Sequence, residues 1–255
     1  MLISVINNKG GVGKSTITQG LAHSLALKGK KVLVIDQDPQ SNTSSVLTPI
    51  GGNKTLYDLY KDGIPAKDCI FPTPYEGISI LPNINKTDTL ENGLYADVHK
   101  SYFLLKDSVQ DYATNNFDIT LVDCPPNLGL FVLQALIFSN AALVPIEAGS
   151  MYSVDGFVSA YEAIQGASEA VNHQLKFLRA VVNKVDLRAS IHKSSLEYLR
   201  RTFGDKIFKT TIPANTDIQK AEAERKTVIR YNPHCSGAKR FKSLADELLE
   251  IIDGK

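Results

Sequence analysis

The sequence predicts an α/β fold: a doubly wound, mostly parallel β-sheet flanked by helices on both faces. Three observations carry this expectation. Short, continuously apolar runs rich in Ile, Leu and Val recur along the chain, as parallel strands buried on both faces require. Stretches of helical periodicity separate those runs, the alternation that builds β-α-β units. A glycine-rich turn, Gly10 to Gly13, joins the first apolar run to the first helical pattern.

Taken in order, the strands are expected at Leu2–Ile6, Val32–Ile35, Ile78–Leu81, Ile119–Val122, Ala141–Pro145 and Leu178–Val182. Between the first two, Ile17, Leu21 and Leu25 recur at helical spacing, and Gly29 supplies a stop. Thr48–Gly77, rich in Gly, Pro, Lys and Asp, reads as loops around a short helix near Leu56–Tyr60. At the C-terminal end Phe241, Leu244, Leu248, Ile251 and Ile252 form an apolar stripe beside Asp246, Glu247, Glu250 and Asp253. Those acids would repel anionic lipid, so the stripe reads as a packing face rather than a membrane anchor. No long linker, repeat or low-complexity stretch divides the chain, so residues 1–255 are expected to form one domain.

Composition narrows the function class. The 255 residues carry a net charge of only +1, but it is unevenly spread. Between Leu175 and Lys242 there are 16 Lys and Arg against 6 Asp and Glu, and the rest of the chain is acidic. That asymmetry points to a basic face for an anionic partner. Cys69, Cys124 and Cys235 lie far apart without CxxC spacing, which argues against a disulfide framework, a zinc site or an iron–sulfur cluster. No apolar run approaches the roughly 20 residues of a membrane span, and the chain is expected to be cytoplasmic.

The chemistry concentrates in three places. The first is Asn8-Lys9-Gly10-Gly11-Val12-Gly13-Lys14-Ser15. An ordinary phosphate-binding loop has Gly, four residues, then Gly-Lys-Ser/Thr. Gly13, Lys14 and Ser15 fit, but Asn8 stands at the first glycine's position and a second lysine, Lys9, precedes the glycines. Gly10, Gly11 and Gly13 let backbone N–H groups approach an anion, and the following helix adds its dipole. Lys14 is expected to reach the β- and γ-phosphates, the Ser15 hydroxyl to ligate Mg²⁺, and Thr16 to support the α-phosphate.

The second place is the end of the second strand, Asp36-Gln37-Asp38-Pro39-Gln40, where Asp38 is expected to position or activate a water and Asp36 to support the metal shell. The third is Leu121-Val122-Asp123, an apolar strand ending in a carboxylate that holds Mg²⁺ in the Walker B arrangement. The Pro125-Pro126-Asn127-Leu128-Gly129 stretch that follows resembles a switch loop.

In this order and spacing, these pieces resemble the ParA/MinD family of deviant Walker A P-loop ATPases, and specifically its ParA/Soj members. The resemblance covers nearly the whole chain. It includes KGGVGKS (9–15), VLVIDQDPQSN (32–42), LVDCPPNLG (121–129), VVNKVD (181–186), IPANTDIQKAE (212–222) and YNPHCSGAKRFKSLADEL (231–248). It implies ATP and Mg²⁺ as ligands and a slow, partner-stimulated ATPase. Lys9 would be the signature lysine, reaching across an ATP-sandwich homodimer to the other subunit's phosphates. Asp38 matches the family's hydrolysis-critical aspartate. Asn183, Pro213 and Asn215 match positions around the adenine. The accelerating partner would be a ParB-like adaptor whose basic residue acts like an arginine finger.

The resemblance also implies non-specific binding to nucleoid DNA. Lys184, Arg188, Lys193, Arg200, Arg201, Lys206, Lys209, Lys220, Arg225 and Lys226 supply the charge for it. The family often has arginine where Ala214 and Asp217 stand here, which predicts a displaced or weaker DNA surface. The cargo would be a plasmid, a chromosome origin or a protein assembly such as a carboxysome. The alternatives are a MinD-like membrane-associated positioning ATPase and a P-loop ligase or reductase.

Overall fold

The computed structural model describes residues 1–48, 53–90, 98–150 and 152–254. Its sheet has seven strands: β1 (Leu2–Val5), β2 (Val32–Asp36), β3 (Phe71–Pro72), β4 (Ile78–Leu81), β5 (Ile119–Asp123), β6 (Ala141–Glu147) and β7 (Lys176–Asn183). They lie in the order β3-β4-β2-β5-β1-β6-β7. All neighbours pair parallel except β3, which runs antiparallel to β4. The chain steps from β1 one way, over β5 to β2, and later the other way, over β1 to β6. The strand order therefore reverses beside β1, and in such sheets ligands bind at that crevice, outside the carboxyl ends of the strands.

The helices are α1 (Lys14–Ala26), α2 (Asn42–Leu47), α3 (Leu56–Asp62), α4 (Ala66–Cys69), α5 (Val98–Asn116), α6 (Leu130–Phe138), α7 (Tyr152–Ala170), α8 (Ser190–Phe203), α9 (Thr216–Ala223), α10 (Val228–Tyr231) and α11 (Ser236–Ile252). They cover both faces of the sheet. Alternation along each strand divides the core in two. Leu2, Leu33, Ile35 and Val122 pack with Val109 of α5, Phe131 of α6 and Phe157 of α7. Ile3, Val5, Val34 and Leu121 pack with Ile17 and Leu21 of α1 and Phe241, Leu244 and Leu248 of α11. This is the doubly wound, mostly parallel α/β class expected from the sequence.

The C-terminal stripe does pack inward: Phe241, Leu244 and Leu248 are fully buried. A Cβ added to Gly20 of α1 would come within 2.4 Å of the Phe241 ring, so the glycine is what lets α1 and α11 approach. Two differences from the sequence reading are informative, and one expectation is met. β3, only two residues long and closed by Pro72, is too short to leave a hydrophobic run. β6 extends to Glu147, beyond the apolar run that ended at Pro145. The short helix near Leu56–Tyr60 is α3, set by a capping box between Thr55 and Asp58; residues 49–52 of the surrounding loop lie outside the described residues.

Candidate functional site

A cleft of about 570 Å³ opens at the carboxyl ends of the strands, lined by Gly10, Lys14, Asp38, Pro126, Asn183 and Asn215 among others. Its floor is the loop between β1 and α1. Gly13 is the N-cap of α1 at φ 95°, with no side-chain cap and no acid in the first turn. The first N–H groups of α1 are therefore left for an external acceptor, and an anion fits there. Gly11 also has a positive φ, 77°. Val12 is fully buried, whereas Gly10 and Gly11 are exposed at the cleft.

Lys14 is buried, and its Nζ donates to the carbonyls of Asn7 (3.0 Å) and Lys9 (3.1 Å). Burial lowers its pKa, and the Asp123 carboxylate opposes that shift. The loop is anchored by Asn7, whose Nδ2 donates to the Pro145 carbonyl at 2.7 Å and whose Oδ1 accepts from the Lys9 N–H at 2.8 Å.

Three of the predicted carboxylates converge below the cleft. Asp123, fully buried, accepts from Thr43 Oγ1 at 2.6 Å, with the Ser15 side chain close enough to oppose the rise in its pKa that burial causes. Its other oxygen, Oδ1, has no hydrogen-bond partner among the described residues. An unpaired buried carboxylate oxygen is costly, and a hard cation suits it. Ser15 and Asp123 together thus fit Mg²⁺. No cluster of three His, Cys, Asp or Glu among the described residues could hold a metal alone. A cation here would need phosphate and water to complete its shell.

Asp36 is oriented differently. Its Oδ2 accepts from both the N–H and the hydroxyl of Ser44 (2.7 Å each), and its Oδ1 from the Asp38 N–H at 3.2 Å. Burial, with the neighbouring Asp123 carboxylate, raises its pKa well above the usual range. In this arrangement it ties α2 to the end of β2. Asp38 lines the cleft, mostly buried, with Oδ1 accepting from the Gln40 N–H at 2.9 Å. Burial raises its pKa, against the Gln40 N–H and Lys14.

Lys9 lies outside the cradle. Its Nζ donates to Ser150 Oγ at 3.0 Å and stands 4.0 Å from the Glu147 carboxylate. Glu147 also pairs with Lys184 at 3.1 Å. The last residue of β6 thus holds two cations at the mouth of the cleft.

On the far side Asn183, at the end of β7, is buried and donates to the Val12 carbonyl at 2.9 Å. Pro213 and Asn215 line the same wall. Asn215 caps α9 by accepting from the Asp217 N–H, and its Nδ2 donates to Ser236 Oγ. Thr16 Oγ1 donates to Glu222 of α9 across this wall.

The basic residues fall into separate groups. Lys193, Arg200 and Arg201 lie exposed on α8, and Arg200 donates to the Lys209 carbonyl. Lys206, just beyond α8, sits 4.6 Å over the Tyr161 ring. Arg188 pairs with Asp186, and Lys226 with Glu224. Lys220 is exposed on α9 and Arg225 lies just past its end. Lys184 belongs to the nucleotide mouth rather than to α8.

Sequence reasoning missed Asn7, Thr43, Ser44, Glu147 and Ser150. Glu147 was findable, because it is a carboxylate ending a strand like Asp36 and Asp123. Thr43 and Ser44 carry no local signal, since their partners lie 80 and 8 residues away.

A family model described as an AAA domain matches residues 1–177. The chain is 31% identical to the chromosome-partitioning ATPase Soj of Thermus thermophilus, over 98% of this chain and 96% of that protein. It is 30% identical to the chromosome partitioning protein ParA of Caulobacter vibrioides, over 97% of this chain and 93% of that protein. The solved structure of the septum site-determining protein MinD of Pyrococcus horikoshii, complexed with Mg-ADP, superimposes with a TM-score of 0.80 at 25% identity, covering 98% and 96% of the two chains. Sequence, fold and site geometry agree: the chain belongs to the ParA/MinD family of P-loop ATPases.

Proposed function

We propose that this chain is a partition or positioning ATPase in which ATP and Mg²⁺ drive formation of a homodimer that binds DNA without sequence preference. A ParB-like adaptor on the cargo then stimulates slow hydrolysis and releases the dimer. The observation that carries the reading is the division of labour between two lysines. Lys14 sits inside the phosphate cradle, while Lys9 stands at its rim, held by Ser150 and Glu147. A cation at the rim of a site already served by Lys14 is explained by a second subunit's nucleotide.

The remaining roles follow from placement. The N–H groups of Gly11 to Ser15 and Lys14 would bind the phosphates. Ser15 and Asp123 would hold Mg²⁺, which neutralises charge on the phosphate oxygens. Asp38 would orient the attacking water, and Asn183, Pro213 and Asn215 would surround the adenine. Two of the relatives are named for chromosome partitioning, which supports a DNA cargo. Among the described residues no helix is long and apolar enough to cross a membrane, and the apolar face of α11 is packed on α1.

Co-sedimentation with DNA in ATP against ADP, across a salt series, tests the reading. Binding should require ATP and weaken steeply with salt. Binding that is absent, or equal in both nucleotides, would overturn it.

A further inference from the structure

Between Asp36 and Asp38, the Gln37 side chain turns to the other face of the sheet, into the core beneath α6. There Gln37 Nε2 donates to Tyr60 Oη at 3.0 Å and to Gln134 Oε1 at 2.7 Å. Tyr60 Oη donates to the same Gln134 oxygen at 2.8 Å, and Gln134 Nε2 donates to the Ser101 carbonyl at 2.8 Å. Gln37 and Gln134 are fully buried, and the Tyr60 ring stacks against Phe131. The Gln37 N–H donates to the Asp123 carbonyl at 2.8 Å. One residue is therefore fastened both to β5 and to helices α3 and α6.

Stability gives no reason for this network. Replacing buried polar partners with apolar groups of the same shape is close to neutral. The network also leaves Gln37 Oε1 buried without a partner among the described residues. What such a network supplies is direction, because its bonds are satisfied in one geometry alone. The elements it joins are telling. Gln37 lies between the two strand-end carboxylates, and Gln134 sits on the helix that follows the Pro125–Gly129 loop. Pro126 of that loop lines the same cleft as Asp38.

We propose that Gln37 is a positioning residue that, through Gln134 and Tyr60, fixes Asp38 in register with the 125–129 loop, so that hydrolysis depends on a contact on the far side of the sheet. The inference rests on the ATPase reading above. Misplacement of a reacting group by a fraction of an ångström lowers the rate without removing the binding groups.

The test uses the full chain with Q37M, Q134M, the double variant and Y60F. Three quantities are measured: affinity for a fluorescent ATP analogue, turnover at saturating ATP, and amide exchange of residues 38–44 without nucleotide. Q37M should bind nucleotide within about 2-fold of the native chain and turn over roughly 10-fold more slowly. Its 38–44 amides should exchange faster. The double variant should be no slower than the slower single, as expected of residues acting as one unit. Y60F, which deletes a single hydroxyl, should slow turnover several-fold at unchanged affinity, and it decides the matter if Q37M does not fold. Native turnover in Q37M or Y60F, or affinity and turnover falling together, overturns the proposal. If the native chain and K14A hydrolyse ATP equally, the ATPase reading has failed instead; unchanged 38–44 exchange in Q37M would then refute the positioning claim separately.

Discussion

Asn183, at the end of β7, donates from Nδ2 to the Val12 carbonyl at 2.9 Å and lies where a side chain on Gly13 would go. A Cβ on Gly13 would stand 2.1 Å from Asn183 Nδ2, on a residue held at φ 95°. The phosphate loop is thus braced by a strand two places across the sheet. Gly13→Ala combines a clash with a disfavoured backbone region, which costs about 1–2 kcal/mol for the backbone alone. The expected result is a folded protein with a lower thermal midpoint and a weakened affinity for nucleotide, read by calorimetry. An unchanged affinity would show that the loop tolerates displacement of Asn183.

Lys14→Ala removes the ammonium inside the cradle. Charge-assisted hydrogen bonds contribute about 1.5–3 kcal/mol each, so two of them to phosphate predict a loss of affinity of roughly 100-fold or more. Dimerisation, if driven by bound nucleotide, should vanish with it. Light scattering with and without ATP checks this. A Lys14→Ala chain that still dimerises in ATP would separate dimer formation from occupancy of the cradle.

Asp38→Ala should separate binding from turnover. Asp38 lines the cleft but is not among the groups that cradle phosphate, and its carboxylate accepts from the Gln40 N–H. The variant should therefore bind ATP and persist as an ATP-bound dimer with turnover reduced about 100-fold or more, about 100-fold being the lower end of a general-base contribution. Single-turnover hydrolysis measures it, and native turnover would remove Asp38 from the reaction.

How far the site could be read from the sequence follows a physical divide. Asp36, Asp38, Asp123 and the Gly13-Lys14-Ser15 turn were legible because each ends or follows an apolar strand, a purely local pattern. Asn183 was singled out through family resemblance as a position around the adenine, whereas its bond to Val12, 171 residues away in sequence, was not foreseen. The Thr43 bond to Asp123 and the Gln37 bond to Gln134 were not legible. Their partners meet because strand order, unlike strand identity, is a tertiary property. The same reason hid β3, which exists by pairing with β4 rather than by its own two residues.

Histidine 23 gives a prediction in pH. His23, on α1, is buried, with its ring 4.9 Å from that of Tyr75. Its Nδ1 faces the Thr227 hydroxyl, and Thr227 Oγ1 already accepts from the Arg230 N–H, so the hydroxyl proton is free to donate to a neutral ring. Burial, reinforced by the Arg230 and Lys242 charges, lowers the His23 pKa from 6.5 to about 4. The folded state then binds fewer protons than the unfolded state between those values. Stability from the neutral ring is fully present above pH 6.5 and is lost as pH falls toward 4. Moving from pH 7.5 to 5 should therefore destabilise the protein by about 2 kcal/mol through this residue, or roughly 4–8 °C in thermal midpoint. The buried carboxylates Asp36 and Asp123 have raised pKa values and contribute with the opposite sign. The diagnostic quantity is consequently the difference between the native chain and His23→Asn, which keeps an acceptor near the position of Nδ1 but cannot be protonated in this range. The native chain should lose more stability on acidification than the variant. Parallel pH profiles for the two would mean that His23 has the same pKa folded and unfolded, and a native chain that gains stability on acidification relative to the variant would mean that His23 is protonated in the fold and donates to Thr227.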